Sequence, residues 1–348
     1  MPEHKALASL TPLPQPAASP QANVADPSDW EGWKKVHRLA LRQLNRFMSC
    51  EAKVLRGEDT DAIHDMRVAS RRLQQMLDLI YPKPRPQELR ELRRQIRRCR
   101  RVLGDVRNCD VLLQHVDSAL GKKRTTRREA WTAVQHYLLM RRSQSYLRAL
   151  RKFGKINPAV LYVNLKPFLV SNPPAHTAEH HHRGAEAERA AFSKHLAHTL
   201  QSVWTAFEEQ VTLSYRDTRP GVIHAARIAT KRLRYLLEVF CEFKVEGSIA
   251  ALNWLRQLQQ HLGDWHDLEV LEQMMIAMLA RPEFLQEQLP LAMDIAKLIS
   301  RNRRAKAQFE SKYFQMSRES AEIHRLKDWV SHLAESPSVA LAKTSAAG

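Results

Sequence analysis

Histidine and arginine recur at helical spacing in two stretches of this chain that match one another residue by residue. Residues 63–73 read IHDMRVASRRL and residues 223–233 read IHAARIATKRL, aligning His64, Arg67, Arg71, Arg72 and Leu73 with His224, Arg227, Lys231, Arg232 and Leu233. A second matched pair follows each copy, VLGDVRNCDVL at 102–112 and HLGDWHDLEVL at 261–271. Two motifs in the same order at similar spacing indicate an internal duplication. The chemistry on offer is anion capture. An arginine fork donates two hydrogen bonds to one oxyanion, and an imidazole adds a donor whose charge a nearby anion can induce at neutral pH.

On a helical wheel at about 100° per residue, Ile63, Met66, Ala69, Leu73, Met76, Leu77 and Ile80 fall within an arc of about 140°. His64, Arg67, Arg71 and Gln74 lie opposite, with Arg72 at the margin. The second copy sets Ile223, Ala226, Ala229, Leu233, Leu236, Leu237 and Phe240 against His224, Arg227, Lys231 and Arg234. Each helix is therefore expected to fasten to a core by one face and present cations on the other. A merely solvated face intersperses acids at i,i+4, because like charges at that spacing destabilise a helix by tenths of a kcal/mol. These rows hold no acid before Asp78 and Glu238. That omission points to a ligand that neutralises them.

The next helix adds ELRELRRQIRRCRR at 88–101, where Arg90, Arg94, Arg97 and Arg101 form a ridge beside an apolar stripe of Leu89, Leu92, Ile96, Cys99 and Leu103. Its counterpart, LNWLRQLQQHL, keeps only Arg256. Further candidates are Arg107 inside the second motif, Arg141, Arg142 and Arg148 in one following helix, and Arg303 and Arg304 in the other.

The elements that must carry these residues are helices. Only ten of the 348 residues are glycine, and no segment alternates as a strand would. The pattern gives helices near 29–56, 61–81, 86–120 and 124–154, a short apolar segment at 158–170, and a repeat of the scheme near 185–214, 219–243, 247–279 and 284–317, with one more at 319–334. The fold class is all-α: two tandem helical bundles, 29–170 and 185–335, joined by a linker at 171–184. The Pro- and Ala-rich tail 1–28 and the tail 336–348 fall outside the packed part. Net charge is +18, and the excess sits in the first half, since 29–170 holds 32 Lys/Arg against 14 Asp/Glu. Such a field attracts polyanions.

Other chemistries find little support. Cys50, Cys99, Cys109 and Cys241 form no CxxC pair and read as free thiols of a reducing, cytoplasmic compartment. No stretch is apolar enough to span a membrane, and no secretory leader is seen. His176 and His180–His182 lie in a Pro-containing linker without fixed ligand geometry, so no metal or other cofactor is expected. No phosphate loop and no nucleophile with its base is present. Asp105 recurs as Asp264 but reads as a cap or salt bridge. The arginine helix has no aromatic residue on which a base could stack. Cations without stackers suit a ligand that is all phosphate and no base.

The duplicated His-x-x-Arg-Val/Ile-x-x-Arg/Lys-Arg-Leu, each followed about 35–40 residues later by a version of Leu-Gly-x-x-Arg-Asp-x-Asp-Val, resembles the CHAD (conserved histidine α-helical domain) family over about 29–335. The resemblance implies two four-helix bundles related by a pseudo-twofold, with a basic channel between them that binds inorganic polyphosphate. It implies a site of His64, Arg67, Arg71, Arg72, Arg97 and Arg101 with His224, Arg227, Lys231, Arg232, Arg234 and Arg256. Gln74 stands opposite Arg234, Asn108 replaces the motif aspartate and His266 its arginine, so the first bundle is expected to contribute more charge. The Glu-x-Glu-x-Lys signature of a fused triphosphatase domain does not occur. The expectation is a non-catalytic module recruited to polyphosphate granules. The alternatives are a polyphosphate-processing phosphatase or phosphotransferase, and a general scaffold for RNA or other polyanions.

Overall fold

The computed structural model describes residues 32–57, 59–123, 125–170 and 185–336. The tail 1–28, the His-bearing linker 171–184 and residues 337–348 lie outside the described residues, which contain helices and no strand. In the N-terminal half these are α1 (Gly32–Ser49), α2 (Glu51–Arg56), α3 (Thr60–Ile80), α4 (Gln87–Val102), α5 (Gly104–Leu120), α6 (Arg128–Ile156), α7 (Pro158–Leu165) and α8 (Pro167–Val170). In the C-terminal half they are α9 (Ala185–Arg216), α10 (Pro220–Glu242), α11 (Ser248–Leu279), α12 (Pro282–Glu287), α13 (Leu289–Phe314) and α14 (Ala321–Glu335), with a π turn, Gln315–Glu319, before α14.

The two motif helices are α3 and α10, and local chemistry sets their starts. Asp59 caps α3 by accepting from the amides of Asp61 and Ala62 at 2.9 and 3.0 Å. Pro220 opens α10, where its missing N–H is no loss. The apolar stripe of α3 is buried as the wheel predicts. On α10, Ala229 is only half-buried. Thr230 takes the inward position, its hydroxyl donating to the Ala226 carbonyl at 2.8 Å. Gln74 also departs from the wheel. It is buried against α4, where its amide donates to the Arg93 carbonyl at 3.0 Å.

The helix expected over 86–120 breaks at the buried Leu103 into α4 and α5. The break frees carbonyls at the end of α4, and Arg67 Nη1 donates to one of them, that of Arg100. A Cβ at Gly104 would meet that guanidinium at 3.3 Å, so glycine lets Arg67 approach the turn. The second copy runs unbroken through Gly263, which has nothing so close, as α11.

α3 packs on α1, α10 on α9 and α11, and the two motif helices touch one another. One apolar cluster runs through both halves, from Val36, Phe47 and Leu73 to Phe207, Leu233 and Trp265. A second joins Leu112, Val134 and Leu138 of α5 and α6 to Leu271, Met275 and Ile295 of α11 and α13. No described helix is long and apolar enough to cross a membrane. His195 sets its ring 5.2 Å from that of Trp33, with Nε2 2.9 Å from the Leu79 carbonyl oxygen. Because α10 is fastened by its apolar stripe, Leu233→Ala should cost about 2–5 kcal/mol of stability. The exposed Arg232→Ala on the same helix should stay within about 0.5 kcal/mol. Urea denaturation of both variants checks the contrast.

Candidate functional site

With their stripes buried, α3 and α10 turn their polar faces to a shared cleft of about 650 Å³. From the N-terminal half it is lined by His64, Arg67 and Arg71 of α3, Arg100 of α4 and Arg107 of α5; from the C-terminal half by His224, Arg227, Lys231, Arg232 and Arg234 of α10 and His266 of α11. Arginine and lysine divide four and four between the halves. Counted with the acids of the lining, Asp78 against Asp264 and Asp267, the first half still contributes slightly more positive charge, although most of its extra arginines lie outside the cleft.

These cations sit in each other's fields. Burial first, then Arg71, Arg100, Arg107 and Arg227, push the Arg67 guanidinium down to about 9. Burial, Arg71 and Arg97 push Arg100 to about 10. Lys231 falls well below the ordinary lysine range through burial and then Arg227, Arg71 and Arg67. Burial lowers Arg227 as well, while Asp267 opposes the shift. The rings of His224 and His266 lie 4.9 Å apart. Burial, then Arg227, His224 and Lys231, depress His266 to about 3, and burial is also the main cause lowering His64 and His224. Asp267 is a weak counterweight, since burial raises its carboxyl. Two buried donor atoms, Arg107 Nη1 and Arg227 Nε, meet no hydrogen-bond acceptor of the protein. Buried unpaired donors are unfavourable by about 1–3 kcal/mol, more when charged.

Other cations of the motif are held by the protein itself. Glu238 takes Arg72 in a two-pronged pair, 2.7 and 3.1 Å, and also accepts from Arg234 Nη1 at 2.6 Å. Arg72 is thereby a clamp between α3 and α10, and it does not line the cleft as the motif suggests. Arg234 donates through Nε to Gln259 at 2.6 Å and lies over the Tyr235 ring at 4.3 Å. Arg71 Nε donates to the Tyr235 hydroxyl at 3.0 Å. Burial raises that phenol, but Arg71 and Arg234 outweigh it and leave it lowered. Arg100 Nη1 donates to Gln74 Oε1 at 2.6 Å. The aimed guanidinium groups are thus positioned by neutral partners that leave their charge in place.

Several expected site residues lie elsewhere. Arg97 and Arg101 are exposed on α4 and Arg256 on α11, where it donates to Asn253 at 3.2 Å. Arg90 is exposed and Arg94 pairs with Glu91 at 2.6 Å. Arg142 pairs with the buried Asp110 at 2.5 Å, and Arg303 with Glu272 at 2.7 Å. Arg141 approaches the Tyr137 hydroxyl at 3.4 Å, Arg148 donates to Ser145 at 3.2 Å, and Arg304 is exposed. None of these lines the cleft. Arg107 alone among the additional candidates does. The acid of the second motif thereby acquires a bracing role: Asp110 ties α5 to α6, and Glu269 with Glu272 holds Lys306 and so ties α11 to α13. The wheel missed Arg100. Aligning Leu103-Gly104 with Leu262-Gly263 pairs Arg100 with Gln259, and both line the cleft. Tyr235, Gln259 and Asp267 went unnoticed because nothing in their spacing separates them from neighbours that face elsewhere. Among the described residues no three His, Cys, Asp or Glu side chains gather as a metal site would need.

Fold and cleft together define a helical protein whose two matched helices face one cation-lined pocket. The CHAD domain family model matches residues 38–276, and the chain belongs to that family. Among solved structures it is similar to the crystal structure of the CHAD domain from the plant Ricinus communis, at a TM-score of 0.56 and 22% identity over 89% of this chain and 93% of that one. At that identity the likeness is one of fold. No curated protein matches the chain.

The histidines carry a pH signature. His266 titrates near 3 in the fold against 6.5 for the free side chain, and His64 and His224 shift the same way. Across that window the folded chain binds fewer protons than the unfolded one, so stability is lost as pH falls below about 6.5. The ligand-free protein should melt at lower temperature at about pH 5 than at about pH 7, and His266→Asn should remove part of the difference. Calorimetry across that range tests it.

Proposed function

We propose that this protein binds inorganic polyphosphate in the cleft between α3 and α10 and does no chemistry on it. The supporting observation is a set of half-buried cleft cations, Arg67, Arg71, Arg100, Arg107, Arg227 and Lys231, that make no salt bridge among the described residues and have only the weak counterweight of Asp267, with Arg107 Nη1 and Arg227 Nε unpaired among them. A ligand rich in oxyanions relieves both the repulsion and the unmet donors. The one tyrosine of the lining, Tyr235, is covered by Arg234 and engaged by Arg71, so it offers no free platform for a nucleobase. On this reading the two halves are duplicated bundles about a pseudo-twofold, and the cleft is the basic channel of the family. A polymer engaged at many cations binds multivalently, with affinity that rises with chain length and falls steeply with salt. Cytoplasmic recruitment to polyphosphate granules follows from such binding. A phosphatase or phosphotransferase would instead release phosphate in a Mg²⁺-dependent manner.

Long-chain polyphosphate should outcompete an equal phosphate-equivalent of single-stranded RNA at physiological salt; even competition would make the cleft a general polyanion surface and sink the assignment. Arg71→Gln and Lys231→Gln should each weaken binding roughly ten- to a hundredfold, as loss of a charged hydrogen bond does. Arg304→Gln, outside the cleft, should leave affinity as it is. Circular dichroism of all three guards against unfolding.

Binding should also be linked to protons. Phosphate raises the depressed imidazoles of His64, His224 and His266 and the Lys231 amine toward their ordinary ranges, so the complex takes up protons. Affinity should therefore rise as pH falls from about 8 to about 6. Titration calorimetry in buffers of different ionisation enthalpy reads the uptake directly, and none would exclude the histidines from the site.

A further inference from the structure

On another face of α11, away from the cleft, two buried polar atoms are left without partners. Trp254 is 6% exposed, and its indole Nε1 meets no acceptor of the protein. His261, about two turns further along the same helix, has a buried and unpartnered Nδ1. Such atoms destabilise a fold unless something pairs with them. Both residues line a cavity of about 620 Å³ that shares no residue with the cleft. Its size lies within the range of about 300–1,000 Å³ typical of small-molecule sites.

The rest of the wall comes from the end of α13, the π turn and the start of α14, through Lys312, Gln315, Glu319, Ser320 and Glu322. A π turn is rare and frequent at functional sites. This one is braced from behind. The Tyr215 hydroxyl donates to Ser317 Oγ at 3.0 Å, and that hydroxyl donates to the Tyr313 carbonyl at 2.7 Å. Ser320 Oγ donates to the Met316 carbonyl at 2.8 Å. The cavity also stands apart from the duplication. Aligned on the Leu-Gly turns, α4 has Gln95 and Val102 where α11 has Trp254 and His261.

The wall carries both signs of charge. Lys312 and Glu319 make no ion pair with each other or with any described residue, and Lys312 Nζ donates to the neutral Gln315 Oε1 at 3.0 Å. Glu322 is taken by Arg325 at 3.1 Å. Opposite charges that share a wall without neutralising each other match a ligand with an acidic and a basic end. Trp254 is too buried to offer a stacking face, which disfavours a sugar or a nucleobase.

We infer that this cavity binds a small zwitterion, a free α-amino acid, whose ammonium meets Glu319 and whose carboxylate meets Lys312. Trp254 and His261 supply the neutral hydrogen bonds. Both charged ends are solvent-exposed, so binding weakens as salt rises. This site is independent of what the cleft binds.

Calorimetric titration of the full chain with each of the common free α-amino acids tests it. At least one should bind one to one. Its decarboxylated amine and its deaminated acid should each bind roughly tenfold more weakly or worse, as loss of one charged hydrogen bond does. Glu319→Gln and Lys312→Gln should each weaken binding by a similar factor. Trp254→Phe, which keeps an aromatic ring and removes the N–H, should weaken it severalfold. Circular dichroism of the three guards against unfolding, and the two exposed positions carry the test if Trp254→Phe fails to fold. Arg71→Gln, in the cleft, should leave amino-acid affinity as it is. Silence from every amino acid overturns the proposal. Equal binding of the amine or of the acid alone overturns it too, because only one charge is then read. So does an affinity unchanged in all three variants, or one lost in Arg71→Gln, which would put the ligand in the cleft.

Discussion

Arg67, Arg71, Arg100, Arg227 and Lys231 share one cleft, and the mutual repulsion of their charges is the interaction to which the surrounding structure is adjusted. Each is held by apolar packing on the far side of its helix, not by a carboxylate at its head. The buried stripes of α3 and α10 supply the free energy that keeps like charges together, at about 1.5–3 kcal/mol per large side chain. Burial then works against the charged forms, which is why the lysine and histidines of the cleft lie below their ordinary ranges.

The protein sorts its cations into two kinds. Those paired with acids hold helices together: Arg72 and Arg234 meet on Glu238, Arg142 on Asp110, and Lys306 on Glu269 and Glu272. Those positioned by neutral groups keep their charge available: Arg67 on the carbonyl of Arg100, Arg71 on Tyr235, Arg100 on Gln74. A carboxylate at any of these last places would neutralise that charge. The two motif copies are used unequally. The N-terminal copy breaks its helix at Leu103 and lets Arg67 in, whereas the C-terminal copy runs straight and brings His266 and Asp267 to the wall.

The sequence by itself determined the helical class, the two matched motifs and the helix face that would carry His64, Arg67, Arg71, His224, Arg227 and Lys231, because burial of an apolar stripe obeys the helical period. Pattern could go no further where two roles look alike in spacing. Arg72 at the margin of the wheel and Arg71 near its centre are both basic residues of one motif. Only the arrival of Glu238 from the other helix makes one a clamp, while the other meets the neutral Tyr235 hydroxyl in the cleft. The same holds on α4, where the arginine ridge drawn beside the apolar stripe lies outside and Arg100, one position away, faces in. Which side of a helix meets which neighbour is decided by packing between segments far apart in the chain, and that information exists only once the tertiary structure brings them together.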